Sequence, residues 1–333
     1  NWPWENHMNS ERKKTLAVVI PAYNEELNIE HLVRDLLAQN TTRVTLERIF
    51  VYSDGSTDKT GDIVKKIPDS RIVYIDGVER RGVAHATNEL FKQASSDILV
   101  FLNADVAVKD PLFLEKISDP IIHNAADMTS CRLQPLWPAT FFEKILHASF
   151  DYKNAVFESW NSGDNLYTCH GPVRAFSRSL YSQMHFTQSV ADDMYSYLYA
   201  TKHGFRYRFA EGTAVYFRLP DSFKDHTRQS VRFFQSQEVL YKEFGKTFVE
   251  QYANLPYWLL VRSLPKTLLR YPLRLPLYVG ITFATRMLSI FRPSVAHTDT
   301  WEIAQSSKFV EKTALRLTVK EYLFLWSRRI VFS

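Results

Sequence analysis

Four short apolar runs set among segments of helical periodicity constrain this 333-residue chain more than any other feature of it. Thr15-Leu16-Ala17-Val18-Val19-Ile20 is followed by Leu27, Ile29, Leu32, Val33, Leu36 and Leu37, which recur at helical spacing. Arg48-Ile49-Phe50-Val51-Tyr52 precedes a helix expected to open at Ser56 or Thr57 and to end near Lys66. Arg71-Ile72-Val73-Tyr74-Ile75 leads through Gly82 into a further helix, and Ile98-Leu99-Val100-Phe101-Leu102 closes the series. Runs without polar interruption read as strands buried on both faces, and strands alternating with helices build βαβ units and a parallel sheet. The length suits one large α/β domain with an added segment.

Three of these strands end in polar clusters: Pro21-Ala22-Tyr23-Asn24-Glu25-Glu26, Ser53-Asp54-Gly55-Ser56-Thr57-Asp58 and Asn103-Ala104-Asp105. Open α/β sheets bind ligands outside the carboxyl ends of their strands. If the chain stays extended after Leu102, Asn103 and Asp105 share a face. A carboxylate there can hold a hard divalent cation, which in turn can hold a diphosphate. Taken singly, Asp105 and Asp54 also read as ordinary turn residues, and Asn24 as the cap of the first helix.

The three clusters in this order and spacing resemble the nucleotide-sugar-binding half of family 2 glycosyltransferases with the GT-A fold, similar to the catalytic domain of polysaccharide synthases of the hyaluronan, cellulose and chitin type. The resemblance covers about residues 15–235 and implies a Rossmann-like, mostly parallel sheet flanked by helices. It implies that Pro21, Ala22, Tyr23, Glu25, Asn103 and Ala104 line the nucleoside pocket, that Asp54 receives the base, and that Asp105 ligates Mn2+ or Mg2+ on the diphosphate. Asn103 stands where the family usually has aspartate, and Ser53 where a first aspartate is frequent. An amide brings no charge, so a lowered metal affinity is expected.

Further along, Met128 lies in a strand expected over Asp127 to Leu133, and residues 137–160 are rich in Trp and Phe, equally readable as a core-facing or an acceptor- or membrane-facing helix. Gly171-Pro172 within Cys169–Arg178 resembles the family's turn at the transferred sugar, where glycine lets backbone approach; His170 receives no chemistry. Paired acids at a helix start, Asp192-Asp193, are ordinary dipole-favoured residues. In the family the last of such a pair is the general base, which assigns that role to Asp193 with Asp192 beside the donor and acceptor. An inverting transfer needs such a carboxylate opposite the leaving diphosphate. Phe205–Phe209 and Thr213–Phe217 alternate as an edge hairpin around Glu211-Gly212. Gln229, Arg232 and Phe233 share a helix face and resemble the family's Gln-x-x-Arg-Trp segment, with phenylalanine keeping the stacking face but losing the indole donor.

The net charge of +5 is concentrated near the carboxyl end. Between Glu250 and Asp299 there is no acidic residue, while Arg262, Lys266, Arg270, Arg274, Arg286 and Arg292 sit among Leu, Tyr, Trp and Phe. The longest uncharged run, Leu275 to Thr285, falls short of the roughly 18 to 20 residues of a spanning helix, and Pro256, Pro265, Pro272 and Pro276 break the stretch. Such pieces suit the plane of an anionic membrane surface, or a helical subdomain whose arginines snorkel to water. The expectation is a monotopic enzyme on the cytoplasmic face of a membrane, with a GT-A domain over 15–245 (a nucleotide-binding half to 135, an acceptor half from 136), a basic amphipathic segment over 246–333, and a further amphipathic helix over 308–328. Residues 1–14 are polar, without a signal-peptide pattern, and Asn1 to His7 precede the first methionine.

The activity expected is inverting, metal-dependent transfer of a hexose from a nucleoside-diphosphate sugar, with UDP favoured, to the hydroxyl of a glycan or lipid-linked acceptor. The alternatives are transfer to a polyprenyl phosphate and an inactive nucleotide-sugar-binding partner of a synthase. A dinucleotide fold is disfavoured because no Gly-x-Gly-x-x-Gly follows the first strand, and nucleic acid because the basic stretch is apolar and proline-broken. Cys131 and Cys169 are expected as reduced core thiols.

Overall fold

The computed structural model describes residues 12–187 and 191–291, with the side chains of 231–236 and 289–291 outside the description. Strands β1 (Lys14–Ala22), β2 (Val44–Asp54), β3 (Ile72–Gly77) and β4 (Ile98–Leu102) alternate with helices α1 (Ile29–Leu37), α2 (Thr60–Lys65) and α3 (Val83–Gln93). Then come β5 (Val106–Val108), α4 (Phe113–Ile122), β6 (Met128–Pro135), α5 (Phe141–Ser159), β7 (Val173–Ser177), α6 (Arg178–Tyr181), α7 (Asp192–Lys202) and β8 (Tyr207–Phe217). The described chain ends in helices α8 (Phe223–Phe244), α9 (Lys246–Ala253), α10 (Tyr257–Arg270) and α11 (Arg274–Phe291).

One eight-stranded sheet runs β3-β2-β1-β4-β7-β6-β8-β5. The β3-β2-β1-β4 half is wholly parallel, as the alternation of strands and helices requires. Strand β7 enters antiparallel between β4 and β6, so the second half of the chain extends the same sheet. Residues 16–20 of β1 have no exposed surface, and successive side chains go to opposite faces. Leu16, Val18 and Ile20 join Ile29, Leu32 and Leu36 of α1 with Phe113 and Ile117 of α4. Ala17 and Val19 join Leu90 and Phe91 of α3 with Leu180 and Leu198. A strand covered on both sides has no polar position to offer, hence the unbroken run.

Several sequence expectations are corrected. The segments expected over 205–209 and 213–217 do not form a hairpin: from Tyr207 they are one strand, β8, parallel to β6 and antiparallel to β5. Its register jumps from Cys131–Ala210 to Arg132–Ala214, and the residues between bulge out where Gly212 has φ 78°. Alternation alone does not separate two strands from one bulged strand. Helix α2 begins at Thr60 rather than at Ser56 or Thr57, and Asn24 does not cap α1 but adopts φ 52° in the preceding loop. Both buried cysteines are free thiols, as expected.

The Trp- and Phe-rich stretch holds α5, started by a reciprocal cap in which Thr140 Oγ1 accepts the Glu143 N–H and Glu143 Oε2 accepts the Thr140 N–H. Ile145, Leu146 and Val156 face the core. Helices α10 and α11 pack on α5, α11 also on α8. Tyr152 donates to the Leu260 carbonyl at 2.8 Å and Tyr271 to Asp151 at 2.6 Å, fixing these helices to α5. Among the described residues no helix is long and apolar enough to cross a membrane. The helix expected over 308–328 lies outside the described residues.

Candidate active site

The carboxyl ends of β1 and β2 are stitched to each other before they can be offered to any ligand. Pro21 pairs with Tyr52 and Ala22 with Ser53. Beyond the strands, the Asn24 N–H donates to Ser56 Oγ at 3.1 Å, and Asn24 Oδ1 accepts the Thr57 N–H at 2.8 Å. The Glu25 N–H donates to Thr60 Oγ1 at 2.8 Å, while its buried carboxylate accepts from Asn28 Nδ2 at 2.9 Å. Glu25 therefore shapes the first loop from within. Tyr23 lies under the Arg80 guanidinium, 4.0 Å from ring centre to carbon.

Asp54 is 5% exposed, and its two oxygens accept the N–H groups of Arg81 (2.9 Å) and Gly82 (2.8 Å). It clamps the loop that opens α3 to the end of β2. Gly55, at φ 69°, makes this approach possible: a Cβ there would meet the Arg80 nitrogen at 2.6 Å. The residue read as a receiver of the base is first a loop holder.

The strand β4 stops at Leu102, and Asn103 to Asp105 turn into β5. The extended geometry that would put Asn103 and Asp105 on one face is therefore not present. Both are half-buried, and Ala104 is buried. The Asn103 N–H donates to the Pro172 carbonyl at 3.0 Å, which draws the Gly171-Pro172 turn against the end of β4. Leu102 pairs with Val173 and Phe101 with Arg174 just behind it.

On the other side of that turn lies Asp193. Helix α7 begins at Asp192, after Ala191 at φ 52°, so both acids sit in its first turn. Asp193 Oδ1 accepts the Met194 N–H at 2.8 Å, and a Cβ at position 171 would touch Asp193 Oδ2 at 3.4 Å. Burial, then the neighbouring Asp192 carboxylate, push the Asp193 carboxyl up to about 6, while the Arg174 guanidinium pulls it down. His170, one residue before the turn, is pushed down to about 4 by burial and stays neutral.

Asp192 has a different partner. The Arg174 guanidinium, with no exposed surface, donates to Asp192 Oδ2, to the Gly171 carbonyl at 3.1 Å and to Ser196 Oγ at 2.9 Å. Sequence reasoning assigned Arg174 and Ser196 nothing. The available signal was a lone charge in the otherwise apolar strand Val173-Arg174-Ala175-Phe176. Gln229 is half-buried on α8; Arg232 and Phe233 follow on the same helix, with side chains outside the described residues.

Among the described residues no group of three or more His, Cys, Asp or Glu side chains could hold a metal by itself. Asp105, half-buried just past the end of β4, supplies one hard carboxylate donor, with the Asn103 amide two residues before it, and one or two carboxylates suffice for a cation that is also held by a substrate diphosphate. The donor set fits Mn2+ or Mg2+ carried in that way.

The curled α/β sheet and the carboxyl edge it presents define the GT-A class of glycosyltransferases. Within that class the chain belongs to glycosyl transferase family 2, whose model matches residues 17–184. The poly-β-1,6-N-acetyl-D-glucosamine synthase of Staphylococcus aureus (strain COL) is 23% identical over 257 residues, 72% of this chain. The chain spans 59% of that synthase's length. A UDP-glucose:α-D-GlcNAc-diphosphoundecaprenol β-1,3-glucosyltransferase of Escherichia coli is 36% identical over 90 residues, 27% of this chain and 35% of that one. The fold is shared with a mannosyltransferase of Pyrobaculum calidifontis, solved in complex with GDP-Man and Mn2+, at a TM-score of 0.52 and 19% identity over 94% of this chain and 81% of the other. It is shared also with glucosyl-3-phosphoglycerate synthase of Mycobacterium tuberculosis, solved with Mn2+ and UDP, at 0.51 and 16% over 70% and 80% of the two chains.

Proposed function

We propose that the protein moves a hexose from a nucleoside-diphosphate sugar, UDP-linked in preference, to a hydroxyl acceptor with inversion at the anomeric carbon. One observation carries the reading: a recessed carboxylate, Asp193, lies against Gly171, and the next residue's carbonyl binds the strand end that leads to Asp105. A proton acceptor and a diphosphate-side carboxylate thus stand at two ends of one short bonded segment, as a displacement with inversion needs.

In this reading Asp193 takes the acceptor's proton. With its carboxyl raised to about 6 it is ionised at pH 7 yet more basic than a solvated aspartate. Asp105, with Asn103, would hold the cation, which when bound neutralises charge gathering on the leaving diphosphate. Pro21, Ala22, Tyr23 and Ala104 border the nucleoside, Glu25 and Asp54 fix the loops around it, and Gln229, Arg232 and Phe233 of α8 close over donor and acceptor. The neighbours solved with UDP or GDP-Man and Mn2+ support a nucleotide-sugar donor and a divalent ion. The names of the related synthase and glucosyltransferase support a glycan or lipid-linked acceptor.

The domain over 15–245 would carry the chemistry, and the segment from 246 would rest on the cytoplasmic surface of an anionic membrane. Support for that surface comes from exposed Tyr257, Trp258, Leu269, Leu273, Val279 and Phe283 interspersed with exposed Arg262, Lys266 and Arg270.

The thermal midpoint with a panel of nucleoside diphosphates, each with and without Mn2+, tests the donor site. A ligand at about a hundred times its dissociation constant adds roughly 2.7 kcal/mol. A rise with UDP that requires Mn2+ and is lost in Asp105→Ala is expected. No rise with any nucleotide would overturn the reading.

A further inference from the structure

The geometry points to Arg174 as the positioning residue of this site: its buried guanidinium holds Asp192 and the Gly171 turn in one register, leaving Asp193 as the acid of the pair free to act as base. The inference rests on the base reading of Asp193.

Arg174 occupies an interior strand. Strand β7 lies between β4 and β6, and Val173, Ala175 and Phe176 around it are wholly buried. The guanidinium carbon sits 4.5 Å from the centre of the Phe101 ring on β4. A cation in such a place is costly unless its hydrogens are used. Among the described residues its Nε–H finds no partner, so the terminal nitrogens carry the compensation. Nη1 donates to Ser196, whose hydroxyl donates on to the Asp192 carbonyl at 2.6 Å. Nη2 is shared between the Asp192 carboxylate and the Gly171 carbonyl.

These partners are not scattered. Asp192 and Ser196 are one turn apart on α7, and Gly171 is the residue whose Cα faces Asp193. Arg174 therefore ties the turn that touches the base to the helix that carries it. An apolar residue of similar length would fill the strand as well and would do neither. Phe101 ends the tie on β4, one residue before Leu102 and the Asn103 turn, so the strand bearing the diphosphate side is braced by the same side chain.

Among the described residues the ionisable groups around Asp193 are few. Asp192 comes from its own helix and Arg174 from β7; Cys169, whose Sγ lies 3.3 Å from the Asp193 carbonyl, and His170 come from the loop before β7. Burial keeps the Cys169 thiol protonated and His170 neutral, so among the described residues Asp192 and Arg174 are the charges that act on Asp193.

The full chain labelled with 13C at the aspartate carboxyls, with Asp193 assigned through Asp193→Asn, reports the titration of Asp193 directly. The Arg174 charge lowers Asp193, and removing a nearby cation raises a carboxyl, by roughly one to three pH units where it stands within about 4–6 Å. In Arg174→Met the Asp193 titration should move up by that amount, and Arg174→Lys should return most of the way to the wild-type value. Asp192→Asn should move it down, which keeps the proposal testable if Arg174→Met does not fold. An Asp193 titration unchanged in Arg174→Met, or in Asp192→Asn, would overturn the positioning role while leaving the base reading standing. Turnover of a UDP-sugar by Asp193→Asn at the wild-type rate would overturn the base reading, and the role of Arg174 with it.

Discussion

Asp192 and Asp193 are neighbours of identical chemistry with opposite surroundings. One is held by a buried guanidinium; the other is crowded by protein and raised to about 6. Separating the environments of two acids is how one pair acquires two roles. Asp193→Asn should lower kcat by about 10²- to 10⁴-fold and leave the UDP-induced rise in midpoint intact. The wild-type rate should fall on the acid side with a midpoint near pH 6, and an acid limb near pH 4 would contradict the assignment. Stability gives an independent check. The folded-state value lies above the unfolded one, near 3.8, so the wild type loses stability as pH rises through about 6. Asp193→Asn should therefore melt higher than wild type at pH 8, and the gain should vanish below pH 4. The acid pair could be found in the sequence because it is contiguous. Arg174 could not, since its meaning depends on β7 being buried between β4 and β6, a pairing no local pattern contains.

At the scale of elements, the loops are held by side chains that a sequence reading places in the ligand's hands. Asp54 is the clearest case, with both oxygens on backbone N–H groups of the loop that starts α3. Asp54→Ala leaves those two donors without their carboxylate, at a cost of about 1–3 kcal/mol each if they stay dry. Its expected signature is a raised KM for the donor sugar with a smaller change in kcat, measured as initial rates over a donor series. An equal fall in kcat with KM unchanged would place Asp54 in the chemistry instead. The four strands of the parallel half were legible because each is a β-branched run closed by a turn, and helix α1 because its apolar positions recur on one face. What was not legible depends on distance along the chain. The parallel pairing of β6 with β8 joins Met128 to Tyr207, and the bulge at Gly212 turns an apparent hairpin into one strand. Local alternation is the same in both arrangements, so only the long-range pairing decides.

Across the whole molecule, polarity is divided. The sheet edge collects carboxylates and amides, whereas α10, α11 and the turn between them present Trp258, Leu269, Leu273, Val279 and Phe283 to the outside with arginines between them. Their other sides are anchored on α5 through Tyr152 and Tyr271, so the exposed face is attached to the domain by specific hydrogen bonds. Exposed apolar side chains grouped on a folded domain mark an interaction site, and the cations among them, of which Arg270 is shared with Asp151 at 3.4 Å, favour an anionic one. The expected outcome is co-sedimentation with vesicles containing anionic phospholipid, weaker binding to neutral vesicles, and loss of the difference as salt screens the headgroups. Leu269 and Leu273 are 86% and 77% exposed, so their replacement should change stability by no more than about 0.5 kcal/mol. The double substitution Leu269→Glu with Leu273→Glu should abolish sedimentation with anionic vesicles and keep the UDP-induced rise in midpoint, because the nucleotide edge lies on other elements. Sedimentation equal to wild type in that variant would show that the face does not meet lipid, and the arginines would then be no more than a solvated rim of the helices packed on α5.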